Sequence, residues 1–309
     1  MDKDSKIYVA GSSGMVGSAI VNKLKLHGYK NIFTSNSSDL DLTQQKETEN
    51  FFSNNDFEYV FNCAARVGGI LENSLKKAQF LYDNLQIQNN LIHSSYKNNV
   101  KKFLFLGSSC IYPREADTPI NEEQLLSGKL EKTNDAYAIA KIAGIKLCDS
   151  YRQQYGFDAI SLMPTNLYGK NDNFNLERSH VIPALIRKFY EAKVNGDATV
   201  ECWGTGMPKR EFLYVDDLAD ACIYMMHNYS DYGHLNIGTG NEISIYDIAY
   251  KIKEMLQYNG KIIWDKSKPD GTISKVLNVK KAAKIGWVYR IALDDGLKET
   301  IEWYKKNKA

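Results

Sequence analysis

The stretch that decides the fold is Ile7-Tyr8-Val9-Ala10-Gly11-Ser12-Ser13-Gly14-Met15-Val16-Gly17. A short apolar run typical of a buried strand leads into three glycines, and residues 18–26 have the pattern of a helix. A glycine loop between a strand and a helix lets the backbone approach a pyrophosphate, which the helix amides then hold. A plain strand-to-helix turn can have the same spacing, so the inference of cofactor binding also depends on the motifs in the rest of the chain. We expect dinucleotide binding at the loop residues, namely Gly11, Ser12, Ser13, Gly14, Met15, Val16 and Gly17.

Short apolar runs continue to alternate with helical patterns through the first half of the chain. Strands are predicted at 31–34, 59–62, 102–106 and 159–163, and helices at 47–53, 79–96 and 135–155. Such alternation is typical of a parallel sheet covered on both faces. The fold class predicted is therefore α/β, a Rossmann doubly wound parallel sheet with a smaller, discontinuous C-terminal substrate domain.

The pattern loosens after Pro164. A polar loop at 168–179 precedes a helix at 181–193 and a strand at 199–203, and the chain ends in a helix over 293–306. The segments 212–226 and 235–237 are predicted to return to the main sheet. We assign residues 1–165 and about 212–240 to an NADP-binding domain, and about 166–211 and 241–309 to a domain that binds the substrate.

Composition and charge argue against several classes of function. The 309 residues carry a net charge of +2 with no basic stripe, which gives no case for a nucleic-acid partner. The charged N-terminus lacks the apolar stretch of a signal peptide, and no segment is apolar enough to span a membrane. The five cysteines have neither paired nor metal-ligand spacing. We expect a cytoplasmic protein with reduced thiols, no metal site and no membrane partner.

Tyr137 and Lys141 stand four residues apart on the predicted helix, so the ammonium lies beside the phenol. A nearby positive charge favours phenolate and lowers a pKa that is ordinarily about 10. This pair predicts a phenol that acts as acid or base, with Ser108 or Ser109 as hydrogen-bond donor to a substrate oxygen. The alternative is a surface Tyr and Lys on an amphipathic helix. That alternative is disfavoured because the glycine loop and Gly107-Ser108-Ser109 occur in the same chain.

Longer runs carry a resemblance to a known family over nearly the whole chain. They are Ala64–Ile70, Leu106–Pro113, Tyr137–Gly144, Met163–Gly169, Ser179–Leu185, Arg210–Phe212 and Ser267–Thr272. The chain resembles the extended short-chain dehydrogenases/reductases, and among them the GDP-L-fucose synthase group. That resemblance implies NADPH-dependent conversion of GDP-4-keto-6-deoxy-D-mannose to GDP-L-fucose, by epimerisation at carbons 3 and 5 and reduction at carbon 4. It also implies a homodimer, in which the helices carrying residues 79–96 and Tyr137 pair.

The resemblance assigns the distinguishing chemistry to Cys110 and His180. Related sugar-nucleotide dehydratases have a carboxylate where this chain has Cys110. Cys110 would remove the protons at carbons 3 and 5, which the 4-keto group makes acidic, and His180 would return a proton from the opposite face. Ordinary pKa values of about 8.5 and 6.5 suit that exchange near neutrality. A small buried hydrophobic residue at 110 and a helix-start hydrogen-bonding residue at 180 are the structural alternatives.

The remaining predicted contacts divide between cofactor and substrate. Cofactor contacts are expected from Ser37, Asp41, Leu42, Ala64, Leu106, Lys141, Pro164, Asn166, Leu167 and His180. Substrate contacts are expected from Ser109, Asn166, Lys188, Trp203, Arg210 and Asp270, and Asn173 is expected to line the same region. Arg210 would pair with the diphosphate and Trp203 would pack on a ring, with a core tryptophan as the alternative at 203. NADPH is favoured over NADH on family grounds, although residues 34–39 contain no arginine for a 2′-phosphate.

Two other functions stay open. The same fold could reduce another GDP-4-keto sugar, such as a GDP-4-keto-heptose in surface polysaccharide synthesis, with or without epimerisation. The missing cofactor arginine, Lys188 in place of an expected arginine and a short stretch between Met226 and His234 favour this alternative. A non-catalytic dinucleotide-binding protein is disfavoured, since such proteins lose the tyrosine or the lysine and this chain has both.

Overall fold

The computed structural model describes residues 1–268 and 270–308. Pro269, which belongs to one of the matching runs, therefore lies outside the described residues, as does Ala309. The strands are β1 (Ile7–Ala10), β2 (Ile32–Thr34), β3 (Tyr59–Asn62), β4 (Lys102–Leu106), β5 (Ala159–Pro164), β6 (Asn166–Tyr168), β7 (Thr199–Trp203), β8 (Lys209–Tyr214), β9 (Leu235–Ile237), β10 (Glu242–Ser244) and β11 (Lys261–Asp265).

Helices connect these strands and cover the sheets. They are α1 (Met15–Leu26), α2 (Gln45–Ser53), α3 (Ile70–Leu75), α4 (Lys77–Lys97), α5 (Asp135–Tyr155), α6 (Val181–Asn195), α7 (Val215–Asn228), α8 (Ile245–Met255), α9 (Lys280–Ile285) and α10 (Leu293–Asn307). The predicted strands at 59–62, 102–106 and 199–203 and the helix at 135–155 are confirmed with the predicted bounds.

The main sheet has six strands in the order β2-β1-β3-β4-β5-β9, and every neighbouring pair is parallel. Helices α1 and α7 pack together on one side of it, and α4 and α5 on the other. The central strand β4 is buried at every position, which is why its sequence is apolar without alternation. The predicted α/β Rossmann architecture is confirmed, and the carboxyl ends of β1, β3, β4 and β5 meet at one edge.

One prediction about the sheet is wrong in part. The segment at 212–226 was expected to rejoin the main sheet, but β8 pairs with β6 and β10 in a separate three-stranded sheet. The helix α7 that follows β8 packs back on the main sheet, against α1, and Leu213 of β8 lies in the same core. The predicted return at 235–237 is confirmed, since β9 pairs with β5 at the sheet edge.

The later part of the chain forms a second core around this smaller sheet. Strands β7 and β11 make a parallel pair, and α6, α8 and α10 bury apolar side chains against β7 and β8. Phe174, Phe189 and Tyr304 lie in this core, which supports the polar loop that precedes α6. The division of the chain into two domains at the residues given above stays a prediction.

Two features of the described residues concern membrane-spanning helices and the state of the cysteines. No helix among them is both long enough and apolar enough to cross a membrane. The five cysteines are free thiols, four of them buried.

Candidate active site

The glycine loop forms a tight cradle between β1 and α1. Gly11 has φ +75°, and a side-chain carbon there would lie 2.7 Å from the Ala64 backbone nitrogen. A carbon at Gly17 would lie 2.2 Å from the Gly11 carbonyl oxygen. Both glycines are therefore required by the close approach of backbone to backbone. The loop sets the first turn of α1 directly against the ends of β1 and β3.

Gly14 differs from the two glycines that flank it. A side-chain carbon there would be 3.5 Å from its nearest neighbour, the Gly11 carbonyl oxygen, which is an ordinary contact. Gly14 is also the N-cap of α1, which has no side-chain cap and no acidic residue in its first turn. The protein's own packing does not demand glycine at this position, whereas a pyrophosphate resting on the helix amides does. The residues present therefore fit the diphosphate of a dinucleotide.

The segment after β2 lies beside this loop, because β1 and β2 are parallel neighbours. Ser37 and Asp41 are exposed there, and Leu42 is buried. The Asp41 carboxylate accepts hydrogen bonds from the Thr43 backbone N–H (2.9 Å) and hydroxyl (2.7 Å), which lower its pKa. Asp41 is thus ionised, and part of its carboxylate is already used at the start of α2.

Lys141 extends along α5 toward the end of β4. Its Nζ donates to the Leu106 carbonyl oxygen at 2.8 Å and lies 5.7 Å from the centroid of the Tyr137 ring. Burial lowers the pKa of Lys141 to about 8. The helix therefore places the ammonium beside the phenol, as the four-residue spacing predicts.

The prediction that Lys141 lowers the pKa of Tyr137 is wrong for this structure. Burial raises the pKa of Tyr137, and the nearby Cys110 thiol raises it further. The charge of Lys141 is directed at the Leu106 carbonyl group, so desolvation of the phenol dominates. Tyr137 thus keeps its proton at neutral pH, which is the state that a proton donor requires.

Ser108, Ser109 and Cys110 follow β4 in a short 3₁₀ turn. The Ser108 side chain accepts a hydrogen bond from the Cys110 backbone N–H at 3.4 Å and is partly exposed. Ser109 is only 5% exposed, so Ser108 is the better placed of the two to meet a substrate oxygen. Cys110 is 7% exposed, which by itself also fits the structural alternative for this residue.

Lys275 is a residue that the sequence did not single out. Burial raises the pKa of Cys110, and Lys275 is the nearby charge that opposes this rise most strongly, ahead of Lys141. Burial also lowers the pKa of Lys275 itself. A lone lysine between Ser274 and Val276 gives no sequence signal, and only the fold brings it near the thiol.

His180 is the N-cap residue of α6, yet its ring makes no capping hydrogen bond. The structural alternative for this histidine is therefore not supported. The side chain is reached by solvent, while surrounding protein lowers its pKa below the usual value. That combination fits a side chain on the wall of a cleft, with a neutral imidazole at pH 7.

Other predicted cofactor contacts lie at the carboxyl ends of the strands. Pro164 ends β5, while Asn166 and Leu167 begin β6. The Asn166 side chain donates to the Glu211 carbonyl oxygen at 2.9 Å, so its own oxygen remains available. Ala64 follows β3, and its N–H donates to the Asn62 side chain at 3.1 Å. Asn173 lies in the loop before α6, where its side-chain oxygen accepts from the Asn175 N–H at 3.0 Å.

A cationic, aromatic surface lies at the end of β7. Trp203 is 51% exposed, which excludes the alternative of a core tryptophan. The Nζ atoms of Lys188 and Lys268 lie 5.7 and 5.5 Å from the centroid of the Trp203 ring system. Lys188 also donates to the Glu201 carbonyl oxygen at 2.9 Å. The surface therefore offers a ring and two positive charges to an anionic, aromatic ligand.

Arg210 and Asp270 stand beside this surface. One Arg210 nitrogen donates to the Lys209 and Thr272 carbonyl oxygens at 2.7 and 2.6 Å, which fixes the guanidinium group. Asp270 accepts from the Thr205 N–H at 2.7 Å and from its hydroxyl at 2.8 Å. In this structure Asp270 therefore orders the loop after Trp203.

Glu211 holds two loop segments near the site through hydrogen bonds, a role that the sequence did not indicate. Its carboxylate is fully buried and accepts from the N–H groups of Thr239 (2.6 Å), Gly240 (2.8 Å) and Leu277 (2.7 Å). It thereby ties the segment that carries Lys275 to β8. Side chains alternate along a strand, so this inward Glu211 leaves its neighbour Arg210 on the opposite face.

Comparisons with known proteins agree with this geometry. Residues 7–238 match the model of the NAD dependent epimerase/dehydratase family. GDP-L-fucose synthase 1 of Arabidopsis thaliana is 55% identical over 306 residues, covering 99% of this chain and 95% of that protein.

Two solved structures from Campylobacter jejuni are also close. A GDP-6-OMe-4-keto-L-xylo-heptose reductase superposes with a TM-score of 0.96 at 38% identity, covering 100% of this chain and 99% of that chain. A GDP-mannoheptose C4 reductase with NADP bound has a TM-score of 0.92 at 40% identity, with 99% of each chain covered. The chain belongs to the NAD dependent epimerase/dehydratase family, the extended short-chain dehydrogenases/reductases.

Proposed function

We propose that this member of the family is an NADPH-dependent enzyme that converts GDP-4-keto-6-deoxy-D-mannose to GDP-L-fucose. One observation carries the proposal: the Cys110 thiol lies near the Tyr137–Lys141 pair, and the nearby charge of Lys275 favours its thiolate form. The tyrosine pair suits reduction of a ketone, and the thiol suits removal of protons beside that ketone. Relatives that are 55% identical and bear the name GDP-L-fucose synthase support the choice of substrate.

The reduction needs a proton donor next to the carbonyl oxygen. When bound, NADPH supplies the hydride for carbon 4 of the sugar. Tyr137, protonated because burial raises its pKa, gives its proton to the oxygen, while Ser108 hydrogen-bonds the same atom. The Lys141 ammonium, fixed on the Leu106 carbonyl oxygen, then stabilises the phenolate that forms.

The epimerisations need a base on one face of the sugar and an acid on the other. Cys110, as thiolate, takes the proton from carbon 3 or 5, and His180, in its imidazolium form, returns one from the opposite face. Burial works against both charged forms, since it raises the pKa of Cys110 and lowers that of His180. Lys275 offsets the first effect, because its positive charge favours the thiolate. We therefore assign Lys275 to the activation of Cys110.

The nucleotide would lie across the surface around Trp203. The exposed ring can stack on the base, and Lys188 and Lys268 face the same ring. Arg210, already fixed by the Lys209 and Thr272 carbonyl oxygens, would use its other nitrogens to bind the diphosphate. With the nucleotide bound in this way, we expect the sugar to face Cys110 and Tyr137.

Product analysis with two variants tests the division of labour. We expect wild-type protein with NADPH to convert the 4-keto-6-deoxy substrate to GDP-L-fucose, read by NMR of the product. Tyr137→Phe should lose reduction and keep proton exchange, while Cys110→Ser should lose exchange at carbons 3 and 5. If Cys110→Ser exchanges protons at the wild-type rate, Cys110 is structural and the epimerase assignment fails.

A second candidate substrate is a GDP-4-keto-heptose. The observation that favours it is the TM-score of 0.96 with a GDP-6-OMe-4-keto-L-xylo-heptose reductase. A competition experiment with both keto sugars in one tube, followed by mass spectrometry of the products, separates the two candidates. The fucose proposal expects at least a tenfold preference in kcat/KM for the 6-deoxy-hexose, and the reverse preference would overturn it.

We also propose that α4 and α5 form the contact of a homodimer. The two helices pack on each other and expose Tyr82, Ile139 and Tyr155 at 61%, 49% and 47%. Apolar side chains along one exposed helix pair are typical of a subunit interface. Light scattering should give twice the monomer mass, and Ile139→Glu should reduce it to the monomer mass.

A further inference from the structure

The two loops predicted to surround the adenine ribose contain no lysine or arginine. In this fold the cofactor's adenine ribose lies at the carboxyl end of the second strand, where an acidic side chain suits NAD and an arginine suits the 2′-phosphate of NADP. In this chain no lysine or arginine occurs between Lys6 and Lys23, or between Lys30 and Lys46. Both loops that would surround the ribose fall within these two stretches.

Three of the four lysines at the borders of these stretches pair with carboxylates. Lys6 pairs with Asp56, Lys23 with Asp220 and Lys30 with Asp4. Lys6 and Lys30 precede β1 and β2, so they lie at the amino ends of these strands, opposite the glycine loop. Of the four, Lys46 alone follows β2, at the start of α2.

The charges that do lie after β2 are negative. Asp39 accepts hydrogen bonds from the Asn36 side chain at 3.3 Å and from the Ser38 hydroxyl at 3.1 Å. Asp41 is engaged by Thr43, and its backbone N–H donates to Glu47 at 3.3 Å. Three carboxylates thus surround a segment whose other polar groups are hydroxyls and amides. A 2′-phosphate would meet repulsion there, while ribose hydroxyls would meet acceptors.

We propose that this chain binds NADH with an affinity within about tenfold of its affinity for NADPH, because hydroxyl groups and amides alone hold the 2′-position. The Ser37 hydroxyl and the Ser12 and Ser13 hydroxyls of the neighbouring loop are the groups that remain for a phosphate, because the Ser38 hydroxyl already donates to Asp39. Charge-assisted hydrogen bonds to a phosphate are worth roughly ten- to a hundredfold in affinity, and neutral ones are worth less. The inference rests on the dinucleotide site of the proposed function and extends it to a second electron donor.

Direct titration tests this without any sugar substrate. The quench of protein fluorescence gives the Kd of NADPH and of NADH for the purified wild-type chain, at low and at high salt. We expect NADPH to bind no more than about ten times more tightly than NADH, and we expect high salt not to weaken NADPH relative to NADH, because no exposed ion pair supports the phosphate. NADPH binding a hundredfold tighter, with the advantage lost at high salt, would overturn the proposal. Since no keto sugar is present, the result does not depend on which sugar is the substrate.

Three variants sharpen the comparison. Ser37→Arg places a guanidinium beside the expected position of the 2′-phosphate. It should therefore increase the affinity for NADPH roughly tenfold or more and leave the affinity for NADH unchanged. Asn307→Arg adds the same charge at the end of α10 and should change neither affinity. Lys46→Gln should also leave both affinities unchanged. If Lys46→Gln weakens NADPH selectively, Lys46 supplies the missing charge and the proposal is wrong.

Discussion

Replacing Gly14 by alanine should weaken cofactor binding while leaving the fold almost intact. The new methyl carbon would lie 3.5 Å from the Gly11 carbonyl oxygen, with no closer neighbour. Alanine is somewhat worse than glycine at a helix N-cap, which costs on the order of 0.5–1 kcal/mol in the free energy of unfolding. The same methyl group stands where the backbone should meet the pyrophosphate, so we expect the Kd of NADPH to rise roughly ten- to a hundredfold.

Gly17→Ala should behave differently. Its methyl carbon would be 2.2 Å from the Gly11 oxygen and 2.7 Å from the Ser12 Cα, and both neighbours are backbone atoms that cannot rotate away. Separating them requires the loop to move by about 1 Å, at a cost on the order of 3 kcal/mol in the free energy of unfolding. At roughly 2–4 °C per kcal/mol, the Tm should fall by about 6–12 °C.

Thermal melts by circular dichroism and NADPH titrations of the two variants provide the assay. Gly28→Ala serves as the control, because Gly28 also has a positive φ of +80° but no atom within 4 Å of the added carbon. It should lose about 1 kcal/mol of stability and bind NADPH normally. The reasoning is refuted if Gly14→Ala destabilises the chain as much as Gly17→Ala, or if it binds NADPH like the wild type.

Three further predictions concern the chemistry. Lys275→Met should raise the pKa of the Cys110 thiol, because the charge that favours the thiolate is lost, and the pH midpoint of its alkylation should rise accordingly. An unchanged midpoint would remove Lys275 from its role. The two half-reactions should have opposite pH slopes: reduction should fall as pH rises through about 8, where Lys141 loses its charge, while proton exchange should rise as Cys110 ionises. Parallel slopes would contradict the assignment. Trp203→Ala should raise the KM for the GDP-sugar roughly tenfold with little change in kcat, as measured in steady-state assays. An unchanged KM would mean that the guanine ring does not stack on Trp203.

Much of the fold could be predicted from the sequence because local patterns are strong there. The buried strand β4 and the long helix α5 have the predicted bounds, since an apolar run and a helical period each identify one element type. The order of a strand followed by a helix does not reveal which sheet the strand joins. β8 therefore escaped the prediction, because its partners β6 and β10 are distant in the sequence.

The residues of the site that belong to contiguous motifs could be predicted from the sequence. Those whose role depends on tertiary packing could not. The spacing of Tyr137 and Lys141 predicted their proximity, but only the buried environment shows that desolvation raises the pKa of the phenol. Likewise, the pair Ser108 and Ser109 left two possibilities that their exposure distinguishes. Lys275 lies near Cys110 on a segment that the buried Glu211 holds, and no local sequence pattern encodes this arrangement.

The most direct test of the central claim is a reaction in deuterated water. Purified protein is incubated with GDP-4-keto-6-deoxy-mannose and NADPH, and the product is examined by mass spectrometry and sugar NMR. The account predicts an L-galacto-configured product with deuterium at carbons 3 and 5. A reduced product without deuterium would mean that Cys110 and His180 do not exchange protons and that the enzyme is a reductase alone.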